Sequence, residues 1–268
     1  METQNQHSLF VITGANRGFG LAIAKVLANK ATHKTTLILT GRDKAALTDI
    51  ASSLARAIVD VHVIANVCLD GALSTQETVL FPLDSLMTRL HSANRMTRVT
   101  LINNAGSTGD LGKKVMDYDP EEIQKYINLN IGSYMALVTD FIRHWHGEQM
   151  NAPEIAIVNI SSLMAVQPFP NWGLYASGKS ARDMFLRVVA AEHKSVRALS
   201  YAPGPLDNEM QRQVRESLGD EDQKTLFTKM ANEGQLVEME TSAHKLISLL
   251  EDNKFQSGDH IDFYDTVE

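Results

Sequence analysis

Tyr175 and Lys179 lie four residues apart in the segment Tyr175-Ala176-Ser177-Gly178-Lys179. In a helix, that spacing places both side chains on one face. A free phenol has a pKa of about 10, which is too high for easy proton exchange at neutral pH. A neighbouring ammonium favours the phenolate and lowers this pKa, so the pair is typical of an acid catalyst. The same spacing is common on ordinary helix surfaces, and the interpretation needs support from the rest of the chain.

A glycine-rich turn near the start of the chain follows the apolar residues 9–12 and precedes a predicted helix at residues 21–27. Strand, turn and helix in this order are the context that a dinucleotide-binding turn requires. Gly14 permits the tight turn, Gly18 lets the backbone approach a pyrophosphate, and Gly20 lets the helix pack against the strand. The free N–H groups and positive dipole end of the helix then face the phosphates. The G-x-x-x-G-x-G spacing is a variant of the common fingerprint, and the alternative is a glycine-rich loop that binds no ligand.

The composition is that of an ordinary globular protein, with 268 residues, of which 44% are hydrophobic and 21% charged. A net charge of −7 argues against nucleic acid or an anionic membrane as the main partner. The single cysteine, Cys68, forms no internal disulfide, which suits a reducing compartment. Residues 1–8 are polar and carry Glu2, unlike a secretory signal, and no apolar run has the length of a membrane span. A cytoplasmic location is therefore expected.

Strands and helices are predicted to alternate along the chain. Predicted strands cover residues 9–12, 35–40, 61–67, 99–103, 155–160, 196–201 and 260–264. Predicted helices cover residues 21–27, 43–57, 74–90, 176–193 and 241–250, and a long helix begins near Pro120 with Asp119 as its N-cap. The alternation predicts an α/β fold: a single-domain, Rossmann-type, doubly wound, seven-stranded parallel sheet with helices on both faces, spanning residues 1–268. A proline-broken loop at 168–172 and the charged, irregular residues 205–240 interrupt this order, and the second is a candidate substrate lid.

In a parallel sheet, ligands bind outside the carboxyl ends of the strands, so the residues after each strand are informative. After the second strand, Gly41 and Arg42 stand where a carboxylate would bind ribose hydroxyls and repel a 2′-phosphate. Arg42, together with Arg17 in the glycine turn, flanks the expected position of that phosphate and favours NADPH over NADH. The alternative is that both are ordinary surface arginines.

Polar residues also follow the later strands. Residues 103–106, Asn-Asn-Ala-Gly, come after the fourth predicted strand, and Ser162 comes after the fifth. A loop joins Ser162 to Tyr175, so the chain can bring the two hydroxyls together. Asn130 lies within a predicted helix, where an amide is an unusual choice unless it forms a hydrogen bond. Taken singly, each has an ordinary interpretation as a turn former, a strand-end serine or a helix-surface amide.

Taken together, these motifs resemble the short-chain dehydrogenase/reductase family over essentially the whole chain. The residues in family order and spacing are the glycine turn, residues 103–106, Asn130, Ser162, Tyr175, Lys179 and Pro203-Gly204. The resemblance implies that Tyr175 gives a proton to a carbonyl oxygen as hydride arrives from nicotinamide, while Ser162 hydrogen-bonds the same oxygen. It also implies that Lys179 lowers the pKa of Tyr175 and binds the nicotinamide ribose, and that Asn130 holds a water that connects Lys179 to solvent.

The resemblance further implies which residues surround an NADP(H) cofactor. They are Gly14, Asn16, Arg17, Gly18, Phe19, Gly20, Arg42, Asp43, Asn66, Val67, Asn104, Ala105, Gly106, Tyr175, Lys179, Pro203, Gly204, Leu206, Asn208, Met210 and Gln211. Two of these depart from the family pattern, since Asn66 stands in place of an acid and Asn208 in place of a threonine. No metal site is predicted, because His144 and His146 lie two apart on a predicted helix and point in different directions.

The C-terminal half more closely resembles family members that reduce side-chain carbonyls of pterins with NADPH, in the last steps of tetrahydrobiopterin synthesis. The segments that carry this likeness are residues 159–163, 167–169, 177–184, 201–207 and 257–265. The resemblance implies a homodimer formed through helices near residues 123–145 and 181–193. It also implies that the substrate contacts Ser162, Leu163, Tyr175, Gly204 and Asp262, with the Asp262 carboxylate accepting from the pterin 2-amino group and the adjacent ring N–H.

Other functions are open at this point. Asp262 is alternatively a solvated acid at a strand end, as Asp259 and Asp265 are expected to be. The chain is alternatively a carbonyl reductase of the same family acting on diketones, steroids or other carbonyls. A third possibility is a catalytically silent dinucleotide-binding protein with a regulatory role, against which the complete set of Ser162, Tyr175 and Lys179 argues.

Overall fold

The computed structural model describes residues 6–146 and 152–267. Seven parallel strands form one sheet in the order β3-β2-β1-β4-β5-β6-β7. They are β1 (His7–Thr13), β2 (Lys34–Thr40), β3 (Val59–Ile64), β4 (Arg98–Asn103), β5 (Glu154–Ile160), β6 (Val196–Ala202) and β7 (Asp259–Asp262). The predicted fold class is confirmed. The prediction about a leader peptide falls largely on residues 1–5, which lie outside the described residues, as does residue 268 at the end of the predicted domain.

Helices connect the strands and cover both faces of the sheet. They are α1 (Gly18–Lys30), α2 (Lys44–Leu54), α3 (Ala72–Thr75), α4 (Phe81–Ala93), α5 (Pro120–Ile127), α6 (Ser133–Trp145), α7 (Gly173–Glu192), α8 (Glu209–Ser217), α9 (Glu221–Asn232) and α10 (Met239–Asp252). A π-helical turn, Gln76–Leu80, joins α3 to α4, and a second, Asn128–Gly132, joins α5 to α6. Among the described residues no helix is both long and apolar enough to span a bilayer.

The strands are apolar along their length because both faces of the sheet are buried. Alternate residues of β1 enter different cores: Leu9 and Val11 pack in one with the helices α4 and α6, and Ile12 packs in the other with α1 and α10. The order of the strands reverses at β1, which pairs with β2 on one side and β4 on the other. This reversal opens a crevice beyond the carboxyl ends of β1 and β4, where ligands bind in sheets of this kind.

Some predicted boundaries are wrong. The third strand ends at Ile64 rather than residue 67, because Asn66 adopts a positive φ of 57° that ends the extended backbone. The last strand ends at Asp262 rather than residue 264, because the Asp262 carboxylate accepts from the Tyr264 backbone N–H and turns the chain. The helix predicted at residues 43–57 ends at Leu54, since Arg56 and Val59 then form a bridge that starts β3.

The candidate lid, residues 205–240, is predicted from the sequence to be irregular, and this prediction is wrong. It contains the helices α8 and α9, and each begins with a side-chain cap. Asn208 accepts from the Gln211 backbone N–H at 2.9 Å, and Asp220 accepts from the Gln223 backbone N–H at 2.9 Å. These caps satisfy N–H groups that a short helix would otherwise leave free.

Candidate active site

The glycine turn between β1 and α1 has the close packing that a dinucleotide-binding turn needs. Gly14 has a φ of +66°, and a Cβ on Gly20 would lie 2.5 Å from the Gly14 carbonyl oxygen, so only glycine fits there. The Asn104 side chain, which follows β4, donates to the carbonyls of Thr13 at 3.0 Å and Gly14 at 3.2 Å. Arg17 precedes α1 without a side-chain capping bond, so the first N–H groups of the helix are available to an anion.

Arg17 and Arg42 are two exposed cations on neighbouring turns. The turns are joined by a hydrogen bond from the Ala15 backbone N–H to the Thr40 carbonyl at 3.0 Å. Neither arginine side chain forms an ion pair or hydrogen bond within residues 6–146 and 152–267. Their charge is therefore available to a phosphate. Asp43 next to Arg42 has a structural use, because its carboxylate accepts from the Ala46 backbone N–H and caps α2.

The other predicted cofactor residues lie at the same carboxyl edge of the sheet, but several of their side chains have structural partners. Phe19 is only 5% exposed and its ring stacks on Tyr201, so a cofactor would meet its backbone alone. Gln211 is 6% exposed and accepts from Arg215 at 3.0 Å, and Leu206 is buried. Val67 is buried in the core, and Ala105 packs against the same core cluster. The other predicted cofactor residues lie in turns after strands or in the first turn of α1 or α8, and they are Asn16, Gly18, Asn66, Gly106, Pro203, Gly204 and Met210.

Helix α7 brings Tyr175 and Lys179 together as the spacing predicts. The Lys179 ammonium lies 5.4 Å from the centre of the Tyr175 ring and donates to the Ile160 carbonyl at 2.6 Å. Ile160 ends β5, and Ser162 follows two residues later. The Ser162 hydroxyl donates to Met164 Sδ at 3.1 Å and lies close enough to the Tyr175 phenol to lower its pKa. Three of the four residues that the sequence predicts to be catalytic, Ser162, Tyr175 and Lys179, therefore meet at the carboxyl end of β5, and Asn130 lies elsewhere.

The ionisation of Tyr175 differs from the sequence-based expectation, which was a pKa lowered by Lys179. Burial raises the pKa of Tyr175 above its usual value, and the nearby Ser162 hydroxyl and the Arg182 charge lower it by less. Lys179 does not offset the burial, since its ammonium lies over the ring and points to the Ile160 carbonyl. Burial, followed by the charge of Arg182, holds the pKa of Lys179 well below its usual value. Tyr175 therefore keeps its proton at neutral pH, and Lys179 releases its own easily.

Asn130 lies in the π-helical turn between α5 and α6 and is 3% exposed. Its side-chain oxygen accepts from the Ser107 backbone N–H at 2.8 Å, and its nitrogen donates to the Tyr126 carbonyl at 3.2 Å. The amide thus supports the loop after β4, next to the glycine turn. The water-holding role implied by the family resemblance stays a prediction.

Arg182 is a functional candidate that sequence reasoning missed. It lies three residues after Lys179 on α7, is 2% exposed, and donates to the carbonyls of Asn103 at 3.0 Å and Ala105 at 3.2 Å. Its guanidinium also lies 4.4 Å from the centre of the Tyr134 ring. The residue holds the loop after β4 against the catalytic helix and supplies positive charge near Tyr175 and Lys179. The signal in the sequence is an arginine that continues the Tyr175–Lys179 helix face by one more turn.

The lid helices pack next to Tyr175. Trp172 has its ring centre 5.3 Å from that of Tyr175, and its indole N–H donates to Gln223 on α9 at 2.9 Å. Val214 and Leu218 join Trp172 in a small buried apolar cluster against which Tyr175 packs. These contacts connect the segment 205–240 to the catalytic helix, although a role in covering the substrate stays a prediction.

The remaining predicted substrate residues lie at the carboxyl ends of three neighbouring strands, β5, β6 and β7. Leu163 follows Ser162 and is 43% exposed. A Cβ on Gly204, which has a φ of +78°, would lie 3.4 Å from Phe263, so the loop after β6 packs closely on the segment after β7. Asp262 ends β7 opposite Ala202 of β6 and is partly exposed.

Comparison with known proteins identifies the class of protein. The family model for short chain dehydrogenase matches residues 8–219. The chain belongs to the short-chain dehydrogenase/reductase family. Among solved structures, a short-chain dehydrogenase/reductase from Saccharomyces cerevisiae superposes with a TM-score of 0.77 at 24% sequence identity, covering 97% of this chain and 96% of the yeast chain.

Two individual relatives align with most of this chain. Sepiapterin reductase from Bos taurus is 41% identical over 261 residues, which are 96% of this chain and 95% of the bovine protein. A benzil reductase ((S)-benzoin forming) from Bacillus subtilis (strain 168) is 30% identical over 248 residues, which are 91% of this chain and 93% of the bacterial protein.

Proposed function

We propose that this protein reduces a side-chain carbonyl of a pterin with NADPH, as an oxidoreductase of the sepiapterin reductase type. The observation that carries the proposal is the joint placement of Ser162, Tyr175 and Lys179 at the carboxyl end of β5, in a chain that aligns with bovine sepiapterin reductase over 96% of its length. An arrangement of hydroxyl, phenol and amine serves proton transfer to a carbonyl oxygen, and binding a nucleotide does not need it.

The residues present fit a nicotinamide dinucleotide. The glycine turn admits close approach, the start of α1 offers free N–H groups, and Arg17 and Arg42 offer unpaired positive charge. The bound cofactor supplies the hydride. Tyr175 donates its proton to the substrate oxygen, Ser162 hydrogen-bonds that oxygen as negative charge develops, and Lys179 returns a proton to Tyr175. The lowered pKa of Lys179 suits this last step, because its ammonium gives up a proton readily.

NADPH is proposed as the cofactor because Arg17 and Arg42 lie where a 2′-phosphate is expected. We expect kcat/KM to be higher with NADPH than with NADH, and Arg42→Ala to lower kcat/KM for NADPH about tenfold while leaving the value for NADH almost unchanged. Steady-state rates at 340 nm with each cofactor check this. Lys254→Ala, an exposed lysine outside the site, is the matched control. Higher kcat/KM with NADH in the unaltered protein would contradict the cofactor assignment.

The substrate class is tested at Asp262, whose carboxylate is proposed to accept from the paired N–H donors of the pterin ring. We expect Asp262→Asn to raise KM for sepiapterin at least tenfold, because one carboxylate oxygen is replaced by an NH2 group, which would face an N–H donor of the pterin. KM for a small diketone should change less than twofold. Asp252→Asn, an exposed acid on α10, is the control. Equal effects on both substrates would remove Asp262 from the pterin site.

The second candidate function is reduction of diketones or other carbonyls, which the likeness to a benzil reductase favours. It uses the same Ser162, Tyr175 and Lys179 and differs only in the substrate pocket. Turnover of a diketone without turnover of sepiapterin would support it. A silent regulatory protein is the weakest candidate, and binding of NADPH without reduction of any carbonyl would be its signature.

We also propose that the protein is located in the cytoplasm. The single cysteine suits a reducing compartment.

We further propose that the protein is a homodimer. Met184 and Val188, one turn apart on α7, are 57% and 43% exposed, and association of two copies through this helix would bury them. The proposed interface lies on the opposite side of α7 from the buried Lys179 and Arg182.

A further inference from the structure

A row of buried polar side chains crosses the sheet beneath α7. Asn159 of β5 lies opposite Ser200 of β6, and Ser200 lies opposite His260 of β7. Asn159 and Ser200 are 0% and 2% exposed. Residues in register on parallel strands point to the same face, so the three side chains share the face that α7 covers. Buried faces of parallel sheets are normally apolar, so three adjacent polar residues there are unusual and indicate a specific role.

Asp183 of α7 is the common acceptor for this row. Its Oδ2 is 2.6 Å from His260 Nδ1, and its Oδ1 accepts from the Asn159 amide at 2.7 Å. The side chains of His260 and Asp183 are only 11% and 6% exposed. Burial raises the pKa of Asp183, but the hydrogen bond and charge of His260 and the nearby hydroxyls of Ser161 and Ser200 together lower it by more, so the carboxyl is ionised at neutral pH. One buried carboxylate therefore joins α7, β5 and β7.

Asp183 and its two hydrogen-bond partners each lie within four residues of a predicted active-site residue on the same segment of chain. On α7, Asp183 lies one helical turn after Lys179. On β5, Asn159 lies three residues before Ser162. On β7, His260 lies two residues before Asp262, so their side chains share one face of the strand. The hydrogen bonds of Asp183 thus join the parts of the fold that carry the reacting groups to the part that carries Asp262.

β7 has few connections to the helices: besides the bond to Asp183, the Lys245 ammonium of α10 donates to the carbonyls of Asp262 and Phe263. It has four residues and lies at the edge of the sheet, so main-chain bonds to β6 hold it from one side only. Within the described residues, the hydrogen bond between His260 and Asp183 is the one that joins a β7 side chain to α7. A shift of the strand would change the distance between Asp262 and Tyr175.

We propose that Asp183 and His260 are positioning residues that fix Asp262 relative to Tyr175, and that they determine selectivity for a substrate long enough to contact both. The inference rests on the proposed function, since the placement of Asp262 matters only if it holds the substrate. A small diketone reacts at Tyr175 without reaching Asp262, so its KM does not depend on the pair.

The test compares His260→Asn with His260→Gln. The side-chain nitrogen of asparagine can occupy the position of Nδ1 and donate to Asp183, whereas that of glutamine occupies the position of Nε2 and cannot. We expect His260→Gln to raise KM for sepiapterin about tenfold, with kcat for sepiapterin and KM for the diketone and NADPH each changed less than twofold. His260→Asn should stay within about threefold of the unaltered protein. His244→Gln, on the exposed side of α10, is the matched control.

A double-mutant cycle separates this inference from the proposed function. If His260 acts through Asp262, His260→Gln should have almost no further effect on KM in an Asp262→Asn background. Additive effects, an equal loss for the diketone, or equal KM values for the Asn and Gln variants would each overturn the positioning role while leaving Asp262 as the anchor. No effect of Asp262→Asn alone would instead overturn the anchor itself, and with it the reason for positioning. If His260→Gln does not fold, Asp183→Asn takes its place in the cycle, and the same outcomes decide.

Discussion

Tyr175→Phe is expected to lower kcat for carbonyl reduction by about a thousandfold or more, with little change in NADPH affinity. Phenylalanine keeps the ring that packs 5.3 Å from Trp172 and beneath the Lys179 ammonium, and removes only the hydroxyl that gives the proton. The reduced product then has no proton donor, although the substrate and cofactor are still held. The measurement is the single-turnover rate of NADPH oxidation, with cofactor affinity followed by fluorescence and folding by circular dichroism.

The matched control for this variant is Tyr264→Phe. Tyr264 is 64% exposed, and its hydroxyl forms no hydrogen bond within the described ranges. Its variant should reduce a diketone at the rate of the unaltered protein. Near-normal turnover by Tyr175→Phe would mean that another group donates the proton. A large loss of NADPH affinity would mean instead that the hydroxyl serves cofactor binding.

Much of the fold could be predicted because its signals are local. The continuous apolar runs of β1, β2, β4, β5 and β6 have the length and composition of buried parallel strands, and the alternation with helices sets the topology. The glycine turn is equally local, since Gly14 and Gly20 are required by backbone conformation and close contact within a few residues. The spacing of Tyr175 and Lys179 is fixed by one helix, so their common face was also predictable.

The features that the sequence analysis missed depend on contacts between distant parts of the chain. Arg182 and Asp183 look like ordinary helix-surface charges in the sequence, and only the packing of α7 on β4, β5 and β7 shows that they are buried and hydrogen-bonded. The same packing determines the direction of the pKa shifts of Tyr175 and Lys179. Periodicity alone does not reveal which charged residues a neighbouring element will cover.

The prediction that residues 205–240 are irregular was wrong for a different reason. Its helices α8 and α9 are short and highly charged, so few apolar residues mark their faces. Val214 and Leu218 are the buried positions near the catalytic helix, and two residues in a charged segment give a weak periodic signal. The available signal was capping chemistry, because Asn208 and Asp220 are both favoured N-cap residues.

Lys179→Met is expected to lower kcat about a hundredfold or more and to change how stability depends on pH. In the folded protein, burial and the Arg182 charge hold the pKa of Lys179 well below its usual value, whereas in the unfolded chain it is about 10.4. Between these two values the unfolded chain binds more protons than the folded one, so the unfolding free energy of the unaltered protein rises with pH. Methionine has a similar length and no proton to bind, so the variant lacks this contribution.

The unaltered protein should therefore become more stable relative to Lys179→Met between pH 7 and pH 10, as measured by urea unfolding at both values. Replacing an exposed lysine removes no buried charge, because water surrounds such a side chain in both the folded and the unfolded chain. Lys254→Met should accordingly show the same stability difference at both pH values. A constant difference for Lys179→Met, with activity still lost, would show that Lys179 keeps its proton at its usual pKa. Its part in the reaction would then be to bind or orient, and the return of a proton to Tyr175 would have to come from another group.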